Sequence, residues 1–446
     1  MTSPAIALVN LGCPKNLVDA EKMLGSLASE GYLVGAAPED ADLVIVNTCG
    51  FIEPAKRESI AAIRDAAKLK RNGSGPKLLV AGCLSQRHGA ELLAEIPEID
   101  GLIGVVDRDE AVKACRDVLK GTATRTPFLE RVDFRRSPDT ARLRLTPRHY
   151  AYLRISDGCS RPCAFCAIPA IRGKLRSKPL ETVLAEAREL VADGAKELNL
   201  IAQDTTAYGT DLPPGERATL AELLAGLAGI PDLQWIRLLY AYPAAVTDAL
   251  VTEMARNPKV IPYVDMPVQH GSDAVLERMR RQSSRKQILD AVGAWRAAMP
   301  GFVWRTTIIT GLPGEGEREF EELTAFLEEA RPDRLGCFTY SPEEGTPAAR
   351  MDAQVPEKTR RARRKRVMEA QQERLKTLQE GWVGRRTGAL LEQRLPAGIW
   401  KARTYHDAPE VDGWTYVEGA PPGAAAGDLI QVRITGHSGY DLKATV

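Results

Sequence analysis

The chain has 446 residues, 44% hydrophobic and 27% charged, with a net charge of +1. That length exceeds one ordinary core, so two or three domains of a soluble globular protein are expected. A charge so near zero excludes a whole-molecule attraction to nucleic acid, and no run approaches the ~18 apolar residues of a membrane span.

The start, MTSPAIALVNLGCPKN, lacks the basic residues and long apolar core of a secretory signal. A reducing, cytoplasmic compartment is therefore expected. There the eight cysteines read as metal ligands or catalytic thiols before they read as disulfides. Short apolar runs at 6–12, 42–48, 77–82 and 101–106 alternate with helical patterns, the signature of a parallel sheet. Residues 121–150 break the rhythm with Arg125, Arg131, Arg135, Arg136, Arg142, Arg144 and Arg148 and predict a crossover, with a hairpin inside it.

From 150 onward six strand patterns (AYLRIS, ELNLIAQ, WIRLLYA, YVDMPVQ, VWRTTIIT, LGCFTYS) alternate with helices. Six such units predict an open, partial version of the eight-unit β/α barrel. Residues 356–380 form one long polar helix pattern, basic from Lys358 to Arg366. GALLEQRL, GWTYVEGA, GDLIQVRITG and GYDLKATV then suit a small β-barrel. The fold class is α/β. Its expected parts are a parallel sheet domain (1–120), a linker (121–148), a partial (β/α)6 barrel (149–355), a linking helix (356–380) and a β module (381–446).

Cys159, Cys163 and Cys166 form a C-x3-C-x2-C pattern in DGCSRPCAFCAIP, just after the first barrel strand. Thiols this dense hold soft metals, zinc or iron–sulfur clusters. Zinc needs a fourth ligand, whereas three cysteines on a four-iron cluster leave one iron open to a cofactor or substrate. The alternatives are a zinc knuckle with a distant fourth ligand, or three unrelated thiols. Cys13, Cys49 and Cys83 match no short motif, yet each ends a predicted strand: IALVNLGC, LVIVNTC and LLVAGC. Strand C-termini of a parallel sheet lie along one edge, so these thiols can converge in space. Against this stands the bland reading, in which cysteines are common in buried strands. Cys115 and Cys337 lie in helix-like and strand-like stretches and read as core.

The 159–166 pattern, with Phe165 before its last cysteine, resembles the radical S-adenosylmethionine superfamily. The resemblance implies a 4Fe-4S cluster whose open iron chelates the amino and carboxylate groups of S-adenosylmethionine and cleaves it to a carbon radical. It further implies cofactor contacts from Gln203 and Asp204 in IAQD, from Gln269 in MPVQHGSD, and from Gly311 in TTIITGLPGE. IAQD departs from the Gly-Gly-acidic stretch usual at that place. NLGCPKNLVDAEKMLG, VNTCGFIEPAKRESI, AGCLSQR and GCSRPCAFCAIP together resemble the methylthiotransferases of that superfamily, along essentially the whole chain. That implies a second 4Fe-4S cluster on Cys13, Cys49 and Cys83 that carries or activates the sulfur, and a terminal module similar to TRAM domains.

The methylthiotransferases act on transfer-RNA adenosines or on an aspartate of small-subunit ribosomal protein twelve. RTYHDAPEVDG (403–413) and LGCPKNLVDAE resemble the ribosomal-protein branch. Asp407, Glu410 and Asp412 are then expected to form an acidic rim for a basic protein loop, free or on the assembled subunit. A solvated β-turn is the plainer reading of the same acids. The resemblance also implies an electron donor of the flavodoxin or ferredoxin type; a monomer is expected, without membrane attachment. The rivals are a transfer-RNA methylthiotransferase and a non-catalytic iron–sulfur electron carrier.

Overall fold

The computed structural model describes residues 3–70, 75–105, 108–123 and 138–446. The N-terminal domain is a parallel five-stranded sheet in the order Leu33–Val34, Ala5–Asn10, Leu43–Thr48, Lys77–Gly82, Gly101–Leu102. All six residues of Leu43–Thr48 are buried, as a central strand covered on both faces requires. Ile6, Leu43 and Ile45 pack toward Met23 and Val112 on one face, and Val44, Val46 and Val80 toward Ile63 and Leu92 on the other. The edge strand Leu33–Val34 was not expected, and among the described residues of the run expected at 101–106 only Gly101–Leu102 form a strand.

The central sheet runs Arg334–Thr339, Val303–Thr310, Val260–Asp265, Trp235–Leu238, Glu197–Ile201, Tyr150–Arg154, again all parallel. Its helices pack one face, so it is the open partial barrel expected from six β/α units. A short hairpin, Ser156–Asp157 with Arg176–Ser177, was not foreseen. On the opposite face, register places Tyr152, Asn199 and Arg237 in one row and Asp265, Arg305 and Arg334 in another.

The C-terminal module is a closed five-stranded barrel of Arg386–Arg394, Trp400–Thr404, Thr415–Glu418, Asp441–Thr445 and Leu429–Ser438. It docks on that opposite face, where Trp382, Leu390 and Val417 share a core with Tyr150, Tyr152, Trp235 and Tyr263. The helix Glu357–Glu380 links the two, and two of its arginines reach inward: Arg363 meets Glu315 at 2.9 Å and Arg364 donates to the Cys337 carbonyl at 2.8 Å, while Arg361 and Arg366 are exposed. Arg125, Arg131, Arg135, Arg136 and the expected hairpin lie outside the described residues. From 138 the crossover is a fastening. Asp139 is buried and ion-paired to Lys22 (3.1 Å), Arg154 (2.7 Å) and Lys178 (2.7 Å), joining the N-terminal domain to the barrel.

The acidic segment corrects the expectation of an exposed rim. Asp407 is 0% exposed and pairs with Arg334 at 2.7 Å. Asp412 accepts from the Tyr263 hydroxyl at 2.6 Å and stands 3.6 Å from Arg305. Glu410 is at the surface, but its carboxylate accepts from the hydroxyls of Tyr150 (2.9 Å) and Tyr152 (3.2 Å). The physical reason is the polar inner row of the sheet. Arg237 and Arg305 have carboxylates of the sheet itself, Glu197 and Asp265, but Arg334 would be buried without counter-charge unless the docking module supplied it. Among the described residues, no helix is long and apolar enough to cross a membrane.

Candidate active site

Each N-terminal cysteine sits where a parallel strand ends. Cys13 precedes the helix Pro14–Ser29, whose proline at the first position fixes a helical φ. Cys49 follows Leu43–Thr48, and Cys83 opens the helix Cys83–Glu95. The glycines beside them let the three ends approach. Gly12 has φ +99 and Gly82 φ +97. A Cβ at Gly12 would come 3.0 Å from the Cys49 Cβ, and one at Gly82 would come 2.6 Å from the Thr48 carbonyl oxygen. Cys159, Cys163 and Cys166 lie on the loop between Ser156–Asp157 and the helix Ile168–Arg172.

All six cysteines line a single cleft, about 1260 Å³ when the open solvent at its mouth is included. Phe165, Gln203, Asp204 and Gln269 line it too. Gln203 donates to Asp157 at 2.7 Å, while its buried Oε1 has no partner. Asp204 is held by Arg161 at 2.7 Å. Gln269 lies at φ +74, in the left-handed region that a side chain rarely adopts. Gly311 is placed differently from the expectation. It follows the strand Val303–Thr310 and is absent from the cleft lining; a Cβ there would run into Arg360. Thr307 is the residue of that strand that reaches the cleft. Cys115 and Cys337 are buried in core clusters, as read.

The structure adds residues that the sequence did not single out. Arg172 is buried, donates to Asn16 (2.7 Å) and Asp19 (2.8 Å), and reaches the Cys83 sulfur at 3.5 Å. Its other nitrogen meets Asp157 at 3.2 Å. One guanidinium thus ties the N-terminal triad to the loop that carries the other triad. Tyr242 lies between two more cations, with Arg161 4.2 Å and Arg281 4.0 Å from its ring centre. Glu343, buried after the last barrel strand, clasps Lys56 and Arg87 of the N-terminal domain at 2.8 Å each.

Burial pushes the thiols of Cys83 and Cys166 up to about 12 and raises Cys49 and Cys159, with Arg172 opposing the shift at Cys83. Such thiols ionise when a metal takes the proton's place, so metal loading releases protons. Among the described residues no three His, Cys, Asp or Glu side chains converge enough to hold a single metal ion. A four-iron cluster asks for a wider arrangement, since each thiolate binds a different iron. The donor sets fit it: two groups of three thiols, none in a disulfide, facing one cleft.

Residues 5–104 match the family described as Uncharacterized protein family UPF0004, 153–327 the Radical SAM superfamily, and 383–446 the TRAM domain. The chain is 46% identical to "Ribosomal protein uS12 methylthiotransferase RimO" of Anaeromyxobacter sp. (strain Fw109-5), covering 100% of this chain and 94% of that protein. It is 44% identical to the protein of the same name from Geobacter sulfurreducens, covering 98% and 97%. Among solved structures it resembles the radical S-adenosylmethionine methyltransferase TsrM from Kitasatospora setae with cobalamin and a 4Fe-4S cluster bound. That match has a TM-score of 0.56 and 15% identity, and covers 78% of this chain and 77% of that one. The structural likeness carries the fold alone.

Proposed function

We infer function from kinship: this chain belongs to the family of ribosomal protein uS12 methylthiotransferases, and it is a radical S-adenosylmethionine enzyme that transfers a methylthio group. As a member of that family it uses two 4Fe-4S clusters and S-adenosylmethionine. We assign Cys159, Cys163 and Cys166 to the radical-generating cluster, and Cys13, Cys49 and Cys83 to the other. The substrate we propose is ribosomal protein uS12, modified at the β-carbon of an aspartate. The observation that carries this reading is that both triads open on one cleft. Breaking a C–H bond and adding sulfur at the same carbon needs both agents within reach of one atom.

When bound, the barrel cluster and cofactor supply a carbon radical able to take hydrogen from an unactivated C–H bond, and the second cluster supplies the sulfur. Gln203 offers its unpartnered Oε1 to the cofactor's amino group, and Asp204, fixed by Arg161, adds negative charge beside it. Phe165 and Gln269 line the path. Tyr242, braced by Arg161 and Arg281, closes the wall against water. The electron donor is of the flavodoxin or ferredoxin type, and the enzyme works as a cytoplasmic monomer.

The test offers reconstituted enzyme intact uS12 and, separately, an isopentenylated transfer RNA, with products read by mass spectrometry. A methylthio group on a uS12 aspartate is expected. Modification of the RNA alone would move the enzyme to the transfer-RNA branch. Full cluster loading with no transfer to either would favour the electron carrier.

A further inference from the structure

Lys15 follows Cys13 by two residues, in the first turn of the helix Pro14–Ser29, and lines the cleft between the two triads. It is 7% exposed. Its ammonium stands 3.2 Å from the centre of the Tyr240 ring. Among the described residues no hydrogen bond or ion pair engages it. A buried ammonium without a counter-charge is costly, and a ring face replaces only part of what water gave it.

The other cations of the cleft are already engaged. Arg172 pairs with Asp19 and Asp157, Arg161 with Asp204, and Arg281 donates to the Pro267 carbonyl. The acids nearest Lys15 are also spoken for: Asp265 is held by Arg305 at 3.1 Å and Asp157 by Arg172. Lys15 and Arg281 are therefore the cations lining this cleft without a carboxylate partner, and of the two only Lys15 makes no hydrogen bond among the described residues.

Tyr240 strengthens the case. It follows the strand Trp235–Leu238 and lies at φ +61, a left-handed conformation that strains a bulky residue. The strained turn puts its ring in the cleft, partly buried, against Lys15.

We propose that Lys15, on its Tyr240 platform, receives the side-chain carboxylate of the substrate aspartate. This rests on the uS12 reading above and deepens it. An aspartate's β-carbon is bonded directly to its carboxyl carbon, so anchoring the carboxylate fixes the very atom to be modified. The anchor lies beside Cys13, at the sulfur end of the cleft, and leaves the β-carbon turned toward the Cys159–Cys166 side. A neutral nucleobase or an asparagine would leave the ammonium unpaired, so the same contact rejects them.

The test measures binding of intact uS12, and of its aspartate-to-asparagine variant at the target position, to reconstituted holoenzyme with S-adenosylmethionine and no reductant. Wild-type enzyme is expected to prefer the aspartate form by about 10- to 100-fold, the scale of one charge-assisted contact in a closed site. Lys15→Met should abolish that preference by weakening the aspartate form alone. Lys15→Arg should keep most of it, and iron content should stay at the wild-type level in both. Equal wild-type affinity for the two forms would overturn the proposal, and so would a preference that survives in Lys15→Met. Lost iron or an altered cluster spectrum with the preference intact would assign Lys15 to the Cys13 cluster instead, which also overturns it. Wild-type enzyme that binds neither form would instead sink the uS12 reading itself.

Discussion

Cys159, Cys163 and Cys166 ride on one loop between a two-residue strand and a short helix, whereas Cys13, Cys49 and Cys83 follow the ends of three strands of another sheet. Both triads reach the same cleft. In the first, the spacing of a few consecutive residues sets the ligand geometry. In the second, topology sets it, because parallel strands bring their C-termini to one edge. The N-terminal triad therefore exists only when its sheet is formed, and binding at that triad is coupled to folding of the whole domain. Arg172 spans the difference, anchored in the helix after Cys166 and reaching Cys83.

The sharpest way to separate the triads is to delete each in turn. Cys159, Cys163 and Cys166 replaced together by Ala should reduce S-adenosylmethionine cleavage to background, measured as 5′-deoxyadenosine release under strong reductant. Cys13, Cys49 and Cys83 replaced together should leave that cleavage running while methylthiolated uS12 disappears. Near wild-type product from the second variant would make the N-terminal thiols structural.

Arg172→Met attacks the link itself. It strands the buried Asp157 and leaves the partly exposed Asp19 with Arg154 alone, and removing one partner of a buried pair costs about 3–5 kcal/mol. Urea unfolding of the apoprotein should report that loss, with Arg172→Lys recovering part of it. Asp407 supplies the smaller, remote control. Burial alone would raise its pKa, but the His406 hydrogen bond and the Arg334 guanidinium hold it down to about 2, against the ordinary 3.8. A depressed carboxylate stabilises the fold fully above its unfolded value and stops doing so as pH falls through its folded value, here between about 4 and 2. Asp407→Asn should cost roughly 2 kcal/mol at neutral pH, and the gap to wild type should close on acidification through that window. Iron content should not change, because neither triad is touched.

The sequence revealed the parts that depend on local pattern. The six barrel strands, the buried run Leu43–Thr48 and the cysteines at strand ends were all legible from hydropathy and spacing. The strand Trp400–Thr404 was not, because Arg403 is buried in it, and its partners Glu392 on the neighbouring strand and distant Glu197, at 2.6 Å, make that tolerable. The acids Asp407, Glu410 and Asp412 read as surface for the same reason. Their partners Arg334, Tyr150, Tyr152 and Tyr263 lie far away in the sequence, and no local pattern announces them. Arg172 and Lys15 were missed because a single cation beside a cysteine motif looks like any surface charge until its burial is known.

The measurement that bears most directly on the two-route account is the iron and sulfide count after anaerobic reconstitution, taken on wild type and on both triple variants. Two four-iron clusters require about eight irons per wild-type chain and about four in each variant, with wild-type cofactor cleavage kept only where Cys159, Cys163 and Cys166 remain. About four irons in the wild type, unchanged when Cys13, Cys49 and Cys83 are removed, would contradict it.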